Sequence, residues 1–330
     1  MPEPEPVEYV KVCDAAGTGY FYIPGTDTCL EISGEVIYYL KFRNTDDSTD
    51  TLDFDNTGQD GWEKEYEISL DFNTWKDTEY GDLTTSIQLG ASSDTVGEVE
   101  QFLGDGGVAV NEAFITLGGL TIGYTDSFYP GGNGASDLDG EGPDTGIIGY
   151  TVDFASGSFS MSLEDDGNVD WMPAMVGVVS AEFGDVSVAA AAVYDDTQSF
   201  WGAQLHAEYS AGALGIDASV QYSSDSDLAH PADTTRSRYS AGYEWVLGLG
   251  MDYDVNDKLT VFAGLDYGIN QMGTVSNAND IGTNDDFLLE VGADYELVDG
   301  FTVSFQADFS DRTTGTFEWE DAEISFTRSF

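Results

Sequence analysis

The side chains with the most evident chemistry are carboxylates. Asp and Glu total 62 against 10 Lys and Arg, which gives a formal net charge of −52 over 330 residues. Carboxylates attract cations, repel anions and, when suitably spaced, ligate calcium. The segment DFDNTGQDGWEKE at residues 53–65 comes near a calcium loop, with Asp53, Asp55 and Gly58 at the first, third and sixth places and Thr57 offering an oxygen at the fifth. Lys64 stands at the twelfth place, where a bidentate Glu is required, so a helical EF-hand is not expected. What remains is no firm metal site, only weak divalent binding at Asp53 and Asp55, with Ca2+ held loosely by crowded acidic loops and no cofactor implied.

Other reactive residues are few. His206 and His230 lie far apart, without metal-ligand spacing and outside any nucleophile motif, so neither a zinc site nor an enzyme activity is expected. Cys13 and Cys29 are the only cysteines. They could stay as two reduced thiols. Pairing is the favoured reading, because no third cysteine competes, and it implies an oxidising compartment. The charge balance excludes a nucleic-acid partner and a basic membrane anchor, since neither can work without Lys and Arg. Acidic disorder is excluded as well, because 41% of residues are hydrophobic and 13% aromatic. The opening MPEPEPVEYVKVC has no apolar h-region and reads as a start Met on a mature chain.

The elements that must carry these groups are strands. From Phe301 to Ser310 apolar and polar residues alternate strictly: Phe301, Val303, Phe305, Ala307 and Phe309 against Thr302, Ser304, Gln306, Asp308 and Ser310. The same period recurs from Tyr66, Tyr243, Leu259 and Phe287, with aromatics such as Tyr66, Phe72, Tyr243 and Tyr253 at the ends of the apolar rows. Long polar gaps near 44–61, 91–109, 127–146, 164–173, 195–199, 223–238, 271–285 and 310–316 alternate with short turns built on GG, SG, FGD, AG, NDK and VDG. Eight loops interleaved with seven turns join 16 strands into an up-and-down sheet. Sixteen strands enclose more volume than side chains can fill, so water belongs inside and the apolar rows face lipid. The expected fold is therefore all-β, a 16-stranded antiparallel transmembrane β-barrel.

The opening PEPVEYVKVCDAAGTGYFYIPGTDTCLEISGEV resembles the start of the alphaproteobacterial outer-membrane porins of rhizobia and brucellae. NEAFITLGGLTIGYTDSFY, residues 111–129, resembles the strand pair before that family's third loop, and EISFTRSF with Phe330 last resembles the terminal strand of outer-membrane proteins. The resemblance implies a general porin in the outer membrane of an alphaproteobacterial Gram-negative cell. Residues 1–29 would form an N-terminal segment on the periplasmic or lumen side, and residues 30–330 the barrel, with short periplasmic turns, longer outer loops and an inward-folded third loop at about 127–146. It also implies a homotrimer among outer-membrane lipids, passive diffusion of ions and small hydrophilic solutes, and Phe330 as a signal to the barrel-assembly machinery.

The third loop carries Asp137, Asp139, Glu141 and Asp144 and no basic residue, which makes these four the candidate acidic side of a pore constriction. Such porins oppose this acid with basic residues on the wall, yet no Lys or Arg occurs from Asp77 to Thr235. The wall candidates are Lys41, Arg43, Lys64, Arg236, Arg238 and Lys258, with Arg312 near a loop and Arg328 on the apolar parity of the last strand. Polar-face acids Glu31, Glu35, Glu65, Glu67, Glu244, Asp252, Asp266, Glu290 and Asp294 would make the lumen acidic and cation-selective. Tyr39 and Phe262 break the parity and would point inward, as a substrate-specific channel for a small solute would use them. A β-rich surface or adhesion protein is the non-channel alternative.

Overall fold

In the computed structural model the described residues are 11–43, 61–93, 107–131, 142–167, 172–196, 199–224, 237–271, 285–310 and 318–330. They form strands β1 (Phe21–Tyr22), β2 (Cys29–Arg43), β3 (Gly61–Lys76), β4 (Leu83–Ser93), β5 (Ala109–Leu117), β6 (Leu120–Thr125), β7 (Thr145–Phe154) and β8 (Gly157–Glu164). The chain continues through β9 (Ala174–Phe183), β10 (Val186–Asp195), β11 (Phe200–Ala211), β12 (Leu214–Ser223), β13 (Tyr243–Asn256), β14 (Leu259–Gln271), β15 (Asp286–Val298), β16 (Phe301–Ser310) and β17 (Glu318–Ser329). Each strand from β2 to β17 pairs antiparallel with the next, and β17 returns to β2, which closes a 16-stranded barrel. Closure leaves no strand edge unpaired along the wall, the condition for backbone to cross lipid. The two-residue β1 is additional and pairs with the start of β2.

Register assigns the faces. On β13, Leu247, Leu249, Met251 and Tyr253 are exposed, while Val246, Gly248 and Gly250 between them are buried. Across the barrel Ile32, Val36 and Phe42 of β2 are likewise exposed and alternate with Glu31, Ser33, Glu35 and Lys41. The exposed apolar rows are the outer, lipid-facing surface, and the opposite parity faces the lumen. Tyr243 departs from the expected outer row. It is buried, its hydroxyl donates to Asp286, and its ring lies where a Cβ on Gly268 would be. A phenol beside an acceptor on the lumen side is more stable turned inward than facing hydrocarbon.

The short turns and the start of β2 lie at one end, shown by Cys29 pairing with Trp75 next to the β3–β4 turn. This is the periplasmic end, and β17 also finishes there. The N-terminal segment forms a hairpin at that end, with Val12 bridging Phe21 and a Cys13–Cys29 disulfide. Both cysteines are fully buried. At the rim Lys76 pairs with Asp27 at 3.0 Å, and this contact holds the exposed Asp27 carboxyl below its usual range. Arg328 sits on the outer parity and donates to the Asp299 carbonyl at 2.9 Å, so its charge reaches the polar rim while its stem lies along the apolar surface.

Candidate functional site in the barrel lumen

The site begins where β6 stops. At six residues it is too short to cross a membrane on its own, because a spanning strand needs roughly nine to eleven. The chain turns inward there. Tyr129 of the third outer loop is 1% exposed and packs with Ala174 and Val176 of β9, Ala191 and Val193 of β10, and Phe200 of β11. Gln221 on β12 donates to its hydroxyl at 3.4 Å. Gly202 makes room for that hydroxyl, since a Cβ there would lie 3.1 Å from it. The Gly142 amide donates to the Tyr129 carbonyl at 3.1 Å, so the two stems of the loop form a neck against the wall.

One carboxylate holds this arrangement. Glu164, the last residue of β8, is fully buried. It accepts from the Ser127 hydroxyl, the Phe128 amide (2.9 Å), the Ser162 hydroxyl and the Tyr239 hydroxyl (2.9 Å). A buried carboxylate is tolerable when donors surround it in this way. Tyr239 belongs to the sixth outer loop, and its ring meets Tyr129 edge-on at 6.2 Å. Burial, and then the neighbouring Glu164, push the Tyr239 phenol far above its ordinary pKa. The same loop is pinned by Ser237 donating to Asp195 at 2.7 Å and by Arg238 donating to the Asp144 carbonyl at 3.3 Å.

Sequence reasoning did not single out Glu164, Tyr129 or Tyr239. Parity alone places Glu164 inward with Ser158, Ser160 and Ser162. Its partners, however, come from segments 36 and 75 residues away, and no local pattern announces them. Of the four loop acids, Asp144 is exposed beside the neck, whereas Asp137, Asp139 and Glu141 lie outside the described residues. Asp53 and Asp55 lie outside them too. Among the described residues no group of three His, Cys, Asp or Glu is arranged to hold a metal ion.

The other wall is charged. Lys41 on β2 reaches Glu65 at 2.6 Å and Glu323 at 3.9 Å, and Tyr39 donates to Glu67 at 3.0 Å. Around the barrel Asn73 donates to Glu31, Ser329 to Glu35, Asn270 to Glu244 and Gln306 to Glu290, all within 3.3 Å. Asp252 and Asp294 share the lumen parity, and Asp266 is buried on it. Asp294 also lines a cavity of about 540 Å³ at the periplasmic end with Asp254, Glu296 and Lys258. Phe262 faces inward, where the absence of a side chain at Gly292 accommodates its ring.

Among the described residues the expected basic strip is not assembled. Lys64 pairs in register with Leu40 and shares the outward parity of Tyr66 and Ile68, so strand alternation takes it off the lumen. Arg238 is a loop residue bound to backbone. Lys258 sits in a periplasmic turn and donates to the Leu297 carbonyl at 3.1 Å. Arg43 ends β2 opposite Asp321, while Arg236 and Arg312 lie outside the described residues. Lys41 is the one lysine or arginine whose described side chain stands on the lumen wall, and carboxylates flank it.

The sequence profile of the porin subfamily matches residues 1–328. The chain belongs to the porin subfamily. Porin Omp2a of Brucella suis biovar 1 is 31% identical to this porin, over 100% of this chain and 92% of its own. Porin Omp2b of Brucella abortus is 30% identical over 94% and 85% respectively. Among solved structures the porin resembles the outer membrane channel DcaP of Acinetobacter baumannii, with a TM-score of 0.66 and 12% identity over 94% of this chain and 99% of that one. It is also similar in fold to Salmonella typhi OmpF, with a TM-score of 0.64 and 12% identity over 92% and 98%. The porin is thus an outer-membrane channel for passive diffusion in an alphaproteobacterial Gram-negative cell, and the lumen just described is its path.

Proposed function

We propose that this porin conducts cations in preference to anions. The observation that carries the reading is Lys41: the single described lumen-facing lysine is bracketed by Glu65 and Glu323, with Glu67 beside them. A local positive charge so placed is cancelled rather than projected across the pore. The remaining lumen carboxylates then set the sign of the potential, which concentrates cations and lowers anion occupancy. Asp137, Asp139, Glu141 and Asp144 extend the same sign into the third loop as its constriction acids. Ions and small hydrophilic solutes pass by size and charge. The measurement is the reversal potential of a single channel under a salt gradient. A cation-selective sign supports the reading, and an anion-selective sign refutes it.

The working unit in this proposal is a homotrimer embedded in outer-membrane lipid. The fold likeness to OmpT of Vibrio cholerae, described in its trimer form, supports it at a TM-score of 0.61 and 13% identity over 92% of this chain and 100% of that one. Conductance lost in three equal steps as channels close would be the direct sign. Phe330 is proposed to be the terminal residue read by the assembly machinery, so Phe330→Ala should lower the amount of folded porin reaching the membrane.

A further inference from the structure

Closing a barrel requires the last strand to find one register on the first. Side chains alternate with a period of two, so a slip of one residue would turn Ile324, Phe326 and Arg328 into the lumen and is strongly disfavoured. A slip of two residues, about 7 Å, keeps every side chain on its proper face. The hydrophobic pattern therefore cannot distinguish the native closure from one shifted by two.

The edge of β2 that receives β17 also receives something else. That edge pairs with β17 from Arg43 opposite Asp321 down to Glu35 opposite Ser329. Gly34 and Phe330 then exchange backbone hydrogen bonds at 3.1 and 3.0 Å. Further down, Leu30 and Cys29 pair with Phe21 and Tyr22 of β1 while pairing with Thr74 and Trp75 of β3 on their other side. β1 therefore occupies the same edge as β17, directly beyond its end. Above β1 the hairpin backbone at Gly19 lies against Glu31, where an added Cβ would come within 3.1 Å of the carboxylate. Gly17 and Gly19 adopt φ of 109° and 92°, conformations that suit glycine and form the bend. The Cys13–Cys29 disulfide, both sulfurs buried, ties this hairpin to the strand whose edge it fills.

The geometry points to the N-terminal hairpin as a register stop for barrel closure. A two-residue slip of β17 toward the periplasm would carry Phe330 opposite Ile32 and into the hairpin at Gly19. The opposite slip is resisted by a notch. The Phe330 ring rests over Gly34, where a Cβ would stand 2.9 Å from it, and a slip would bring the ring over Val36 instead. The native register is the one that places Glu323 opposite Lys41, so the stop also fixes the charge pairing at the seam.

Cysteine trapping tests this. Tyr39 and Ser325 are register partners, so Tyr39→Cys with Ser325→Cys reports native closure. Ile37→Cys with Ser325→Cys reports closure slipped by two residues toward the periplasm. With the hairpin intact, only the native pair should cross-link in outer membranes treated with a mild oxidant. In a chain lacking residues 1–22 and carrying Cys29→Ser, the slipped pair should cross-link in at least about a tenth of closed barrels. The native pair alone, at wild-type yield, would overturn the proposal. If the shortened chain does not close, the full-length Cys13→Ser, Cys29→Ser chain is assayed in the same way. There the slipped pair supports a tethered stop, and the native pair alone overturns it.

Discussion

In the outer-loop half of β8 to β12 the lumen face carries Glu164, Ala174, Val176, Ala191, Val193, Phe200 and Gln221, each less than a tenth exposed. From β17 through β2 to β3 it reads Glu323, Glu35, Tyr39, Lys41, Glu65 and Glu67, each part-exposed or open to water. Both stretches obey the same alternation and the same outward apolar rows. They differ in what covers them. The first is dry where Tyr129 and Tyr239, from the described stems of two outer loops, lie on it, and the second is wet because nothing described covers it. Inward residues in a wide barrel therefore have two tasks, and polarity alone does not separate them. Glu164 and Glu65 are both lumen glutamates. One is an anchor with four donors, and the other lines the open lumen beside Lys41.

The largest break in this contrast should come from Glu164→Leu. It strands the Ser127 and Tyr239 hydroxyls and the Phe128 amide without their acceptor, at a cost of about 3 kcal/mol or more. The folded porin should melt lower in detergent, and single-channel conductance should rise as the third loop leaves the wall. Unchanged conductance would mean that the loop is held elsewhere. Next, Glu65→Gln, Glu67→Gln and Glu323→Gln combined should reduce cation preference on the order of threefold, read as a reversal-potential shift. Ala191→Ser on the dry wall should leave that potential where it was. If both variants shift it equally, the two walls do not differ in function.

Tyr239→Phe removes one donor from Glu164 and should cost about 1 kcal/mol, seen as a smaller drop in melting temperature. The wild-type phenol has a raised folded pKa, so its contribution is complete below the ordinary tyrosine value near 10. It is lost only as pH rises through the higher folded value. Alkaline titration should therefore find the Tyr239→Phe difference constant through neutral pH and shrinking only in strong alkali. The smallest effect expected is from Lys41→Met. Removing a cation already neutralised by Glu65 and Glu323 should raise cation preference less than about twofold. A large rise would show that Lys41 acts across the pore after all.

Much of the fold is legible in the sequence. Alternation in segments such as Phe301–Ser310 and Leu259–Ile269 marks strands and their faces, and the alternating loop lengths give 16 of them. The inward parity of Glu31, Glu65, Glu290 and Asp294 was readable in the same way. The parity of Tyr243 matches the outer row, and the Asp286 that accepts from its hydroxyl and turns it inward lies in a different strand. Lys64 carries the charge of a wall cation but the parity of Tyr66 and Ile68, and parity decides its face. The anchor at Glu164 was invisible, since its acidic side chain fitted a polar loop equally well.

The sequence by itself determined that this chain is a closed sheet with water inside and lipid outside, because a period of two and a loop rhythm are local properties that need no partner. It also determined the family, the lack of basic residues from Asp77 to Thr235 and the cysteine pair available for bonding. Only the tertiary structure decided which inward residues meet water and which lie under loops. It also decided that one lysine stands among glutamates and that β1 shares an edge with β17. Those facts depend on contacts between segments far apart in the chain, whose distances are set by closure and register rather than by any neighbouring residue.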